Sequence, residues 1–212
     1  MIRCNKVSKM IQKLRIRLYR YVYSSWWNSE LKWAMVLQPV LIDGKGSVII
    51  GESGGDTVIL GWRSSPGFFD GSIYIEARYP GANVEIGAGT CINNNCTIIA
   101  NTTSIKIGKG CRIGYGCSFF DSDFHHIHPL DRNVGDPSLQ PDVKIEIGDN
   151  VFIGSNVMIL KGVVVGAGSV IGAGSVVTKS IPPMSVAAGN PCRVIKEISD
   201  LDKLDAFSGS SC

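Results

Sequence analysis

The chain has 212 residues, of which 25 are glycine, and a formal net charge of +3 at pH 7. This length supports one domain with a substantial core and is short for two domains. Residues 1–20 hold 7 of the 21 basic residues and no acidic residue, so the rest of the chain, with 14 basic against 18 acidic residues, is mildly acidic. We therefore expect no nucleic-acid partner, because nucleic-acid-binding proteins spread basic charge over the binding face.

Residues 2 to about 37 have the spacing of an amphipathic helix, and Pro39 is expected to end it. Apolar residues recur three and four positions apart between basic residues, at Val7, Met10, Ile11, Leu14 and Leu18. We predict an N-terminal helical segment over residues 1–40. Two roles remain open for it: a cap that closes the open end of a repeat stack, and a basic, aromatic surface that contacts an anionic membrane through residues 1–38.

From about residue 41 the chain shows a repeat, which is clearest over residues 147–182, where its period is six. One position of each step is aliphatic, at Ile147, Ile153, Ile159, Val165, Ile171 and Val177. A second inward position follows four residues later, at Val151, Val157, Val163, Ser169, Ser175 and Ile181. A period of six fits neither a helix nor a simple strand but is typical of a solenoid in which three steps form one triangular coil. We predict a parallel β-solenoid over residues 41–194.

The cysteines and the apolar stretches indicate a cytoplasmic protein, with peripheral contact at the inner membrane face as an option for residues 1–38. The chain has 7 cysteines and no Cys-x-x-Cys pair, and Cys96, Cys111 and Cys117 fall at the small inward position of the repeat. We interpret them as buried thiols in a reducing compartment. No stretch approaches the ~20 apolar residues of a membrane span, and the N-terminus lacks the apolar segment of a secretory signal.

Two interruptions break the repeat. A short insertion lies within residues 101–104, and it predicts a bulged corner. The larger interruption begins after Phe124, where the next aliphatic residue of the series is at position 147 instead of 125. The resulting loop, residues 120–143, contains all 3 histidines of the chain: His125, His126 and His128. Long loops in compact repeat folds are usually functional or disordered, so this loop is the first candidate for a site.

The C-terminal part leaves the repeat at Pro182 and Pro183. A short helix is predicted from about Ser199, with Leu201 and Leu204 on its inner face. Residues 195–212 are expected to form this helix and a tail.

These motifs resemble those of the hexapeptide-repeat acyltransferases, the left-handed parallel β-helix family that includes maltose, galactoside and surface-polysaccharide O-acetyltransferases. The most specific similarity lies over residues 147–154, 176–183 and 187–195. The resemblance implies an all-β solenoid with left-handed coils, whereas ordinary parallel crossovers are right-handed. It also implies transfer of an acetyl group from acetyl-CoA, with no metal, by a homotrimer whose active sites lie between neighbouring prisms.

The resemblance assigns the chemistry to a histidine on the mid-prism loop. Residues 121–125 have the Asp-x-Asp-x-His arrangement of family members that act on cell-surface sugars. His125 is therefore predicted to be the general base. Asp123, or alternatively Asp121, is predicted to fix its tautomer, with loop capping as the alternative role for either carboxylate. His128, which precedes a proline as in the maltose and galactoside enzymes, remains an alternative base, as does His126.

The resemblance also assigns residues to the two substrates. The residues predicted to bind acetyl-CoA are Gly154, Ser155, Ala173, Thr178, Lys179 and Arg193. The residues predicted to contact the acceptor are Asp121, His126, His128 and Phe152, the last of which stands where the maltose and galactoside enzymes usually have tryptophan. We expect the acceptor to be a sugar hydroxyl in surface-polysaccharide or lipopolysaccharide assembly, on a free, lipid-linked or polymeric saccharide.

Two other function classes fit parts of the sequence. Three histidines on one loop suggest a zinc enzyme similar to the carbonic anhydrases that share the β-helix, but those enzymes draw their ligands from widely separated coils. A non-catalytic β-helix scaffold would need neither the histidine loop nor the basic residues Lys179 and Arg193. Zinc analysis and an acetyl-transfer assay separate these two alternatives from the acetyltransferase prediction.

Overall fold

The computed structural model describes residues 34–36, 40–68, 71–132 and 142–199. In these ranges the chain forms three sheets, which we call A, B and C, and successive strands up to residue 177 enter them in the repeating order A, B, C. One circuit of three strands is one coil, and equivalent strands of successive coils pair in parallel. The predicted parallel β-solenoid is confirmed, and the three-sheet arrangement fits a left-handed β-helix.

The strands are short, as the repeat predicts. Sheet A consists of β1 (Ala34–Val36), β4 (Val58–Leu60), β7 (Cys91–Ile92), β10 (Arg112–Ile113), β13 (Phe152–Ile153), β16 (Val170–Ile171), β18 (Ser185–Ala188) and β19 (Arg193–Glu197). Sheet B consists of β2 (Val40–Gly44), β5 (Ile73–Ala77), β8 (Thr97–Ala100), β11 (Ser118–Phe120), β14 (Met158–Leu160) and β17 (Val176–Val177). Sheet C consists of β3 (Ser47–Ile50), β6 (Asn83–Ile86), β9 (Ser104–Ile107), β12 (Ile145–Ile147) and β15 (Val164–Val165).

The core is a column of aliphatic side chains from equivalent positions of successive coils. Ile153 pairs with Ile171 in sheet A, and Ile159 pairs with Val177 in sheet B. These side chains are fully buried, and full burial of a valine or isoleucine side chain contributes about 1.5–3 kcal/mol. Because side chains alternate along a strand, the preceding residue of each pair points outward, and Phe152 is exposed for this reason.

The second inward position lies at the corners between sheets, where it holds Cys96, Cys111 and Cys117 in full burial. Their Sγ atoms donate to glycine carbonyl oxygens of the next coil at distances of 3.1–3.2 Å. Burial raises the pKa of the Cys111 thiol. The cysteines that the structure describes are free, so the expectation of buried thiols is confirmed at these three positions.

The loop between β4 and β5 is held by the fully buried Asn94 of the next coil. The Asn94 side chain accepts a hydrogen bond from the Trp62 amide at 2.7 Å. It also donates to the carbonyl oxygens of Trp62 and Pro66, both at 2.9 Å. Trp62 is thereby fixed at the corner where the chain passes from sheet A to sheet B.

Both ends of the predicted solenoid need correction. Ala34–Val36 form β1, which pairs in parallel with β4, so the prediction of a helix to about residue 37 is wrong for these residues. A short apolar stretch becomes a strand here because the neighbouring strand offers unpaired backbone groups. At the other end β19, antiparallel to β18, continues to Glu197, past the predicted boundary at residue 194.

The other predicted helical residues, 2–33 and 200–212, lie outside the described residues. In the described ranges, no helix has the length and apolar character that a membrane span requires.

Candidate active site

The histidine loop leaves the solenoid between β11 and β12, at the corner where sheet B gives way to sheet C in the fourth coil. Its two ends meet at this corner, because the Val143 amide donates to the carbonyl oxygen of Asp121 at 3.0 Å. The carbonyl oxygen of Val143 in turn accepts from the Gly162 amide of the fifth coil at 3.0 Å. The loop therefore starts from a closed neck that is joined to the next coil.

A buried carboxylate holds the neck from the other side. Asp121 is fully buried and accepts hydrogen bonds from the Asn101 amide at 2.7 Å and from the Thr103 hydroxyl at 2.7 Å. Burial raises the pKa of Asp121, and these hydrogen bonds offset part of the rise. In the structure the Asp121 carboxylate therefore caps the loop, which is the alternative role expected for it. The predicted contact of Asp121 with the acceptor is corrected, because its side chain has no exposed surface.

The sequence predicts only a bulged corner at residues 101–104, whereas in the structure this corner holds both ends of the loop. Besides binding Asp121, it binds Asp142, whose Oδ2 accepts from the Asn101 side chain at 2.8 Å and from the Thr102 hydroxyl at 2.6 Å. The position of the two interruptions in the repeat could have predicted this contact, because both follow a strand of sheet B. Insertions at the same phase of a solenoid stack on each other, since each repeat contacts its neighbours.

Asp123, the predicted partner of the base, forms an ion pair with a residue of the fifth coil. Its Oδ2 lies 2.6 Å from Nζ of Lys161, and the two side chains are 36% and 25% exposed. Asp123 contacts His125 through its backbone instead, because its carbonyl oxygen accepts from the His125 amide at 2.7 Å. The carboxylate therefore ties the loop to the solenoid next to His125.

The three histidines have different environments. His125 is exposed at the start of the loop, and His126 is partly buried. The carbonyl oxygen of His126 accepts from the Arg132 guanidinium at 3.4 Å. His128 is exposed, with Nδ1 3.6 Å from Oδ2 of Asp131. His128 and Asp131 thus form a second imidazole–carboxylate pair further along the loop.

The residues predicted to bind acetyl-CoA fall into two groups. Gly154 and Ser155 lie at the corner between sheets A and B, and Ala173 occupies the same corner one coil later. A Cβ atom on Gly154 would lie 2.6 Å from the Ala173 amide nitrogen, so this corner requires glycine. Thr178 and Lys179 follow β17 at the corner between sheets B and C and are exposed, whereas Arg193 begins β19.

Within one chain, the histidine loop and the Gly154–Ala173 corner lie at opposite edges of sheet B. The six residues from Asn156 to Lys161 cross that sheet, and the five steps between them correspond to about 16 Å at about 3.3 Å per step. Lys161 marks the loop edge, since it binds Asp123. The structure of one chain therefore does not bring the two groups together.

The outer face of sheet A carries a groove of about 370 Å³ that opens between two aromatic side chains. Trp62 and Phe152 are 51% and 50% exposed, and both line the groove together with Asn93 and Arg112. Sequence reasoning selected Phe152 and missed Trp62, because Trp62 lies in the ragged early coils. An aromatic wall with an amide and a guanidinium is typical of small-molecule sites with a few polar groups.

Residues 144–179 match the family model described as bacterial transferase hexapeptide (six repeats). The galactoside O-acetyltransferase of Escherichia coli (strain K12) is 46% identical to this chain over 123 residues, which are 58% of this chain and 58% of that protein. The resemblance to the hexapeptide-repeat acyltransferases is confirmed. The chain spans roughly three fifths of the length of the curated relatives that it matches.

Two solved structures resemble this chain over most of its length. A maltose O-acetyltransferase from Clostridium difficile 630 has a TM-score of 0.54 at 26% identity, over 92% of this chain and 90% of that chain. A hexapeptide-repeat acetyltransferase from Vibrio cholerae O1 biovar eltor, complexed with acetyl-CoA, has a TM-score of 0.56 at 20% identity, over 93% and 92%. At this lower identity the Vibrio protein shows the fold alone.

The three histidines of this chain do not form a metal site with other side chains that the structure describes. Among the residues that the structure describes, no group of three or more histidine, cysteine, aspartate or glutamate side chains lies close enough to hold a metal ion. The zinc alternative thus has no ligand set in those ranges.

Proposed function

We propose that this chain transfers an acetyl group from acetyl-CoA to a hydroxyl group of a sugar, with His125 as the general base. The observation that carries the proposal is the attachment of the histidine loop to the solenoid. The loop ends are joined between Asp121 and Val143, and Asp123 pairs with Lys161, so His125 lies next to a fixed part of the loop. The printed names of the E. coli and C. difficile proteins, a galactoside and a maltose O-acetyltransferase, support a sugar hydroxyl as acceptor. The acetyl-CoA of the Vibrio complex is in keeping with the donor.

A sugar hydroxyl is a weak nucleophile at neutral pH, so its proton must be removed as the oxygen attacks the thioester carbon. A neutral imidazole of His125 accepts that proton, and the imidazolium then returns it to the leaving CoA thiolate. The oxyanion of the tetrahedral intermediate would accept hydrogen bonds from backbone amides of the turn at residues 154–156. No acyl-enzyme is required, since the acetyl group moves directly from sulfur to oxygen.

The donor would lie along the corner that Gly154, Ser155 and Ala173 line. Thr178, Lys179 and Arg193 would bind its nucleotide and phosphates, because exposed cations attract phosphate oxygens. Since the donor corner and the histidine loop lie at opposite edges of sheet B, we propose a homotrimer in which neighbouring prisms share each site. An exposed apolar face that includes Phe152 supports such an interface.

Phe152 lies on sheet A, whereas the histidine loop leaves the corner between sheets B and C. The acceptor would therefore contact His126 and His128 of one prism and Phe152 of a neighbouring prism, with the sugar ring against an aromatic face. We propose a saccharide of surface-polysaccharide or lipopolysaccharide assembly, met on the cytoplasmic side of the membrane. Its support is the Asp-x-Asp-x-His arrangement at residues 121–125 and the basic N-terminal segment of residues 1–38. His128, paired with Asp131, is the second candidate for the base.

The test is an acetyl-transfer screen of free, nucleotide-linked, lipid-linked and polymeric sugars that records CoA release and identifies the acetylated product. We expect O-acetylation of a saccharide. Preference for a primary amine over every hydroxyl would overturn the O-acetyl assignment. Absence of acetyl-CoA turnover with every acceptor class would favour the scaffold alternative.

A further inference from the structure

We propose that Phe124 is a positioning residue for His125, and that Arg78 and Glu76 hold the Phe124 ring in place. The inference rests on the proposed role of His125 as general base and deepens it. An exposed loop would otherwise let the imidazole sample many orientations, and a general base needs its nitrogen within hydrogen-bonding reach of one hydroxyl.

The backbone of Phe124 has a conformation that bulky residues rarely adopt. Its φ is +60°, in the left-handed region that is uncommon for residues with a Cβ atom. The His125 amide donates to the carbonyl oxygen of Asp123 at 2.7 Å, so Phe124 is the centre of a γ-turn. The γ-turn with positive φ is the rare and strained form. Strain of this kind persists only where surrounding contacts hold it, and it clusters at functional sites.

The contacts that hold Phe124 are on the outer face of sheet B. Its ring meets the ring of Phe120 edge to face, with centroids 5.6 Å apart and an interplanar angle of 77°. The guanidinium carbon of Arg78 lies 5.0 Å from the centroid of the same ring, within the range of a cation–π contact. The amide of Phe124 also donates to the Ser122 hydroxyl at 2.9 Å. Both the ring and the backbone of Phe124 are therefore fixed.

The Arg78 guanidinium is itself held by two hydrogen bonds to one carboxylate. Its Nε and Nη2 atoms lie 2.8 and 2.9 Å from the two oxygens of Glu76, a bidentate geometry that fixes the guanidinium plane. Glu76 is buried, and its carboxylate is close enough to Tyr74 that burial and this charge raise the pKa of Tyr74 to about 12. Lysine would not reproduce this arrangement, because it cannot bind a carboxylate through a planar fork.

These residues tie the loop to a coil two steps away. Glu76 lies in β5 of the second coil and Arg78 directly follows that strand, whereas Phe120 ends β11 in the fourth coil. Lys161 of the fifth coil holds Asp123 on the other flank. The γ-turn that precedes the His125 side chain is thus fixed to coils on both sides of the loop.

The experiment compares the wild-type protein with Phe124→Leu, Phe124→Tyr, Arg78→Gln and His125→Ala, using acetyl-CoA and a galactoside as the probe acceptor. Phe124→Leu and Arg78→Gln are expected to lower kcat by about 10- to 100-fold, since a small misplacement of a reacting group has an effect of this size. The KM for acetyl-CoA and the midpoint of the pH profile of kcat should not change. Phe124→Tyr, which keeps the ring, should retain nearly wild-type kcat. Leu130→Ala, on the exposed part of the same loop, is the matched control and should have no effect.

A second readout does not depend on the acceptor. In the protein labelled with carbon-13 at histidine Cε1, we expect one NMR signal for the His125 ring, and we expect that signal to shift or split in Phe124→Leu. An unchanged His125 signal, or wild-type kcat in Phe124→Leu and Arg78→Gln while His125→Ala is inactive, would overturn the positioning role alone. Wild-type kcat in His125→Ala would instead refute the proposed base, and the NMR comparison would still decide whether Phe124 orients the ring.

Discussion

Replacing Asp121 with alanine is expected to destabilise the neck of the histidine loop strongly. The change removes the acceptor of the fully buried Asn101 amide, and a buried donor left without a partner costs about 1–3 kcal/mol. It also removes the bonds from the Thr103 amide and hydroxyl, which water replaces in part because Thr103 is not fully buried. The substitution also removes the unfavourable burial of the Asp121 carboxylate, which offsets part of the loss. The net decrease expected in the free energy of unfolding is about 2–4 kcal/mol.

The assay is denaturant unfolding of wild type and Asp121→Ala at one chain concentration, because assembly links stability to concentration. Asp123→Ala is the matched control, two positions along the same loop. Its carboxylate is partly exposed and forms one ion pair with Lys161, so its loss should cost less than about 1 kcal/mol. Equal losses of unfolding free energy in Asp121→Ala and Asp123→Ala would refute the argument. Burial and the number of hydrogen bonds would then not determine how much each carboxylate contributes to stability.

Three further predictions concern pH, the donor and the assembly. Burial raises the pKa of Asp121 above the ordinary value of 3.8, so the folded protein binds the proton of this carboxyl group more tightly than the unfolded chain does. The contribution of Asp121 to stability therefore falls as pH rises from 3.8 through the raised pKa. The free energy of unfolding of Asp121→Asn, measured as a function of pH, should lack this fall. The same pH dependence as in the wild type would contradict a raised pKa of Asp121. Lys179→Glu should raise the KM for acetyl-CoA more than it lowers kcat, and an unaltered KM would remove Lys179 from the donor site. Light scattering should give about three times the chain mass of 22.8 kDa, whereas a monodisperse monomer would exclude a site shared between prisms.

The sequence contains enough information to predict the coils but not the contacts between them. Period and residue type decide that Ile153 and Ile171 point inward, because every coil repeats the same local geometry. The pairing of Asp123 with Lys161 spans 38 positions and depends on which corner of which coil the loop reaches. The contact of Arg78 with Phe124 could not be predicted for the same reason. Arg78 belongs to the second coil and Phe124 to the loop of the fourth coil, so they come together only in the folded solenoid.

The strand at Ala34–Val36 illustrates a different limit. Three apolar residues at the end of a helix-like pattern are compatible with either conformation, because helix and strand periods cannot be distinguished over so short a stretch. The parallel pairing with β4 decides the conformation, and this pairing is a tertiary contact. By contrast, the histidine loop was predictable because it breaks a strict period.

The central claim is that His125 removes the proton from the acceptor hydroxyl, and kinetics of His125→Ala and His128→Ala with acetyl-CoA test it most directly. A general base contributes about 10²–10⁴ in rate, so His125→Ala should lose at least about a hundredfold in kcat with its KM for acetyl-CoA and its assembly intact. His128→Ala, whose imidazole lies further along the loop beside Asp131, should retain most of its kcat. Near wild-type turnover of His125→Ala together with an inactive His128→Ala would contradict the account and assign the base to His128.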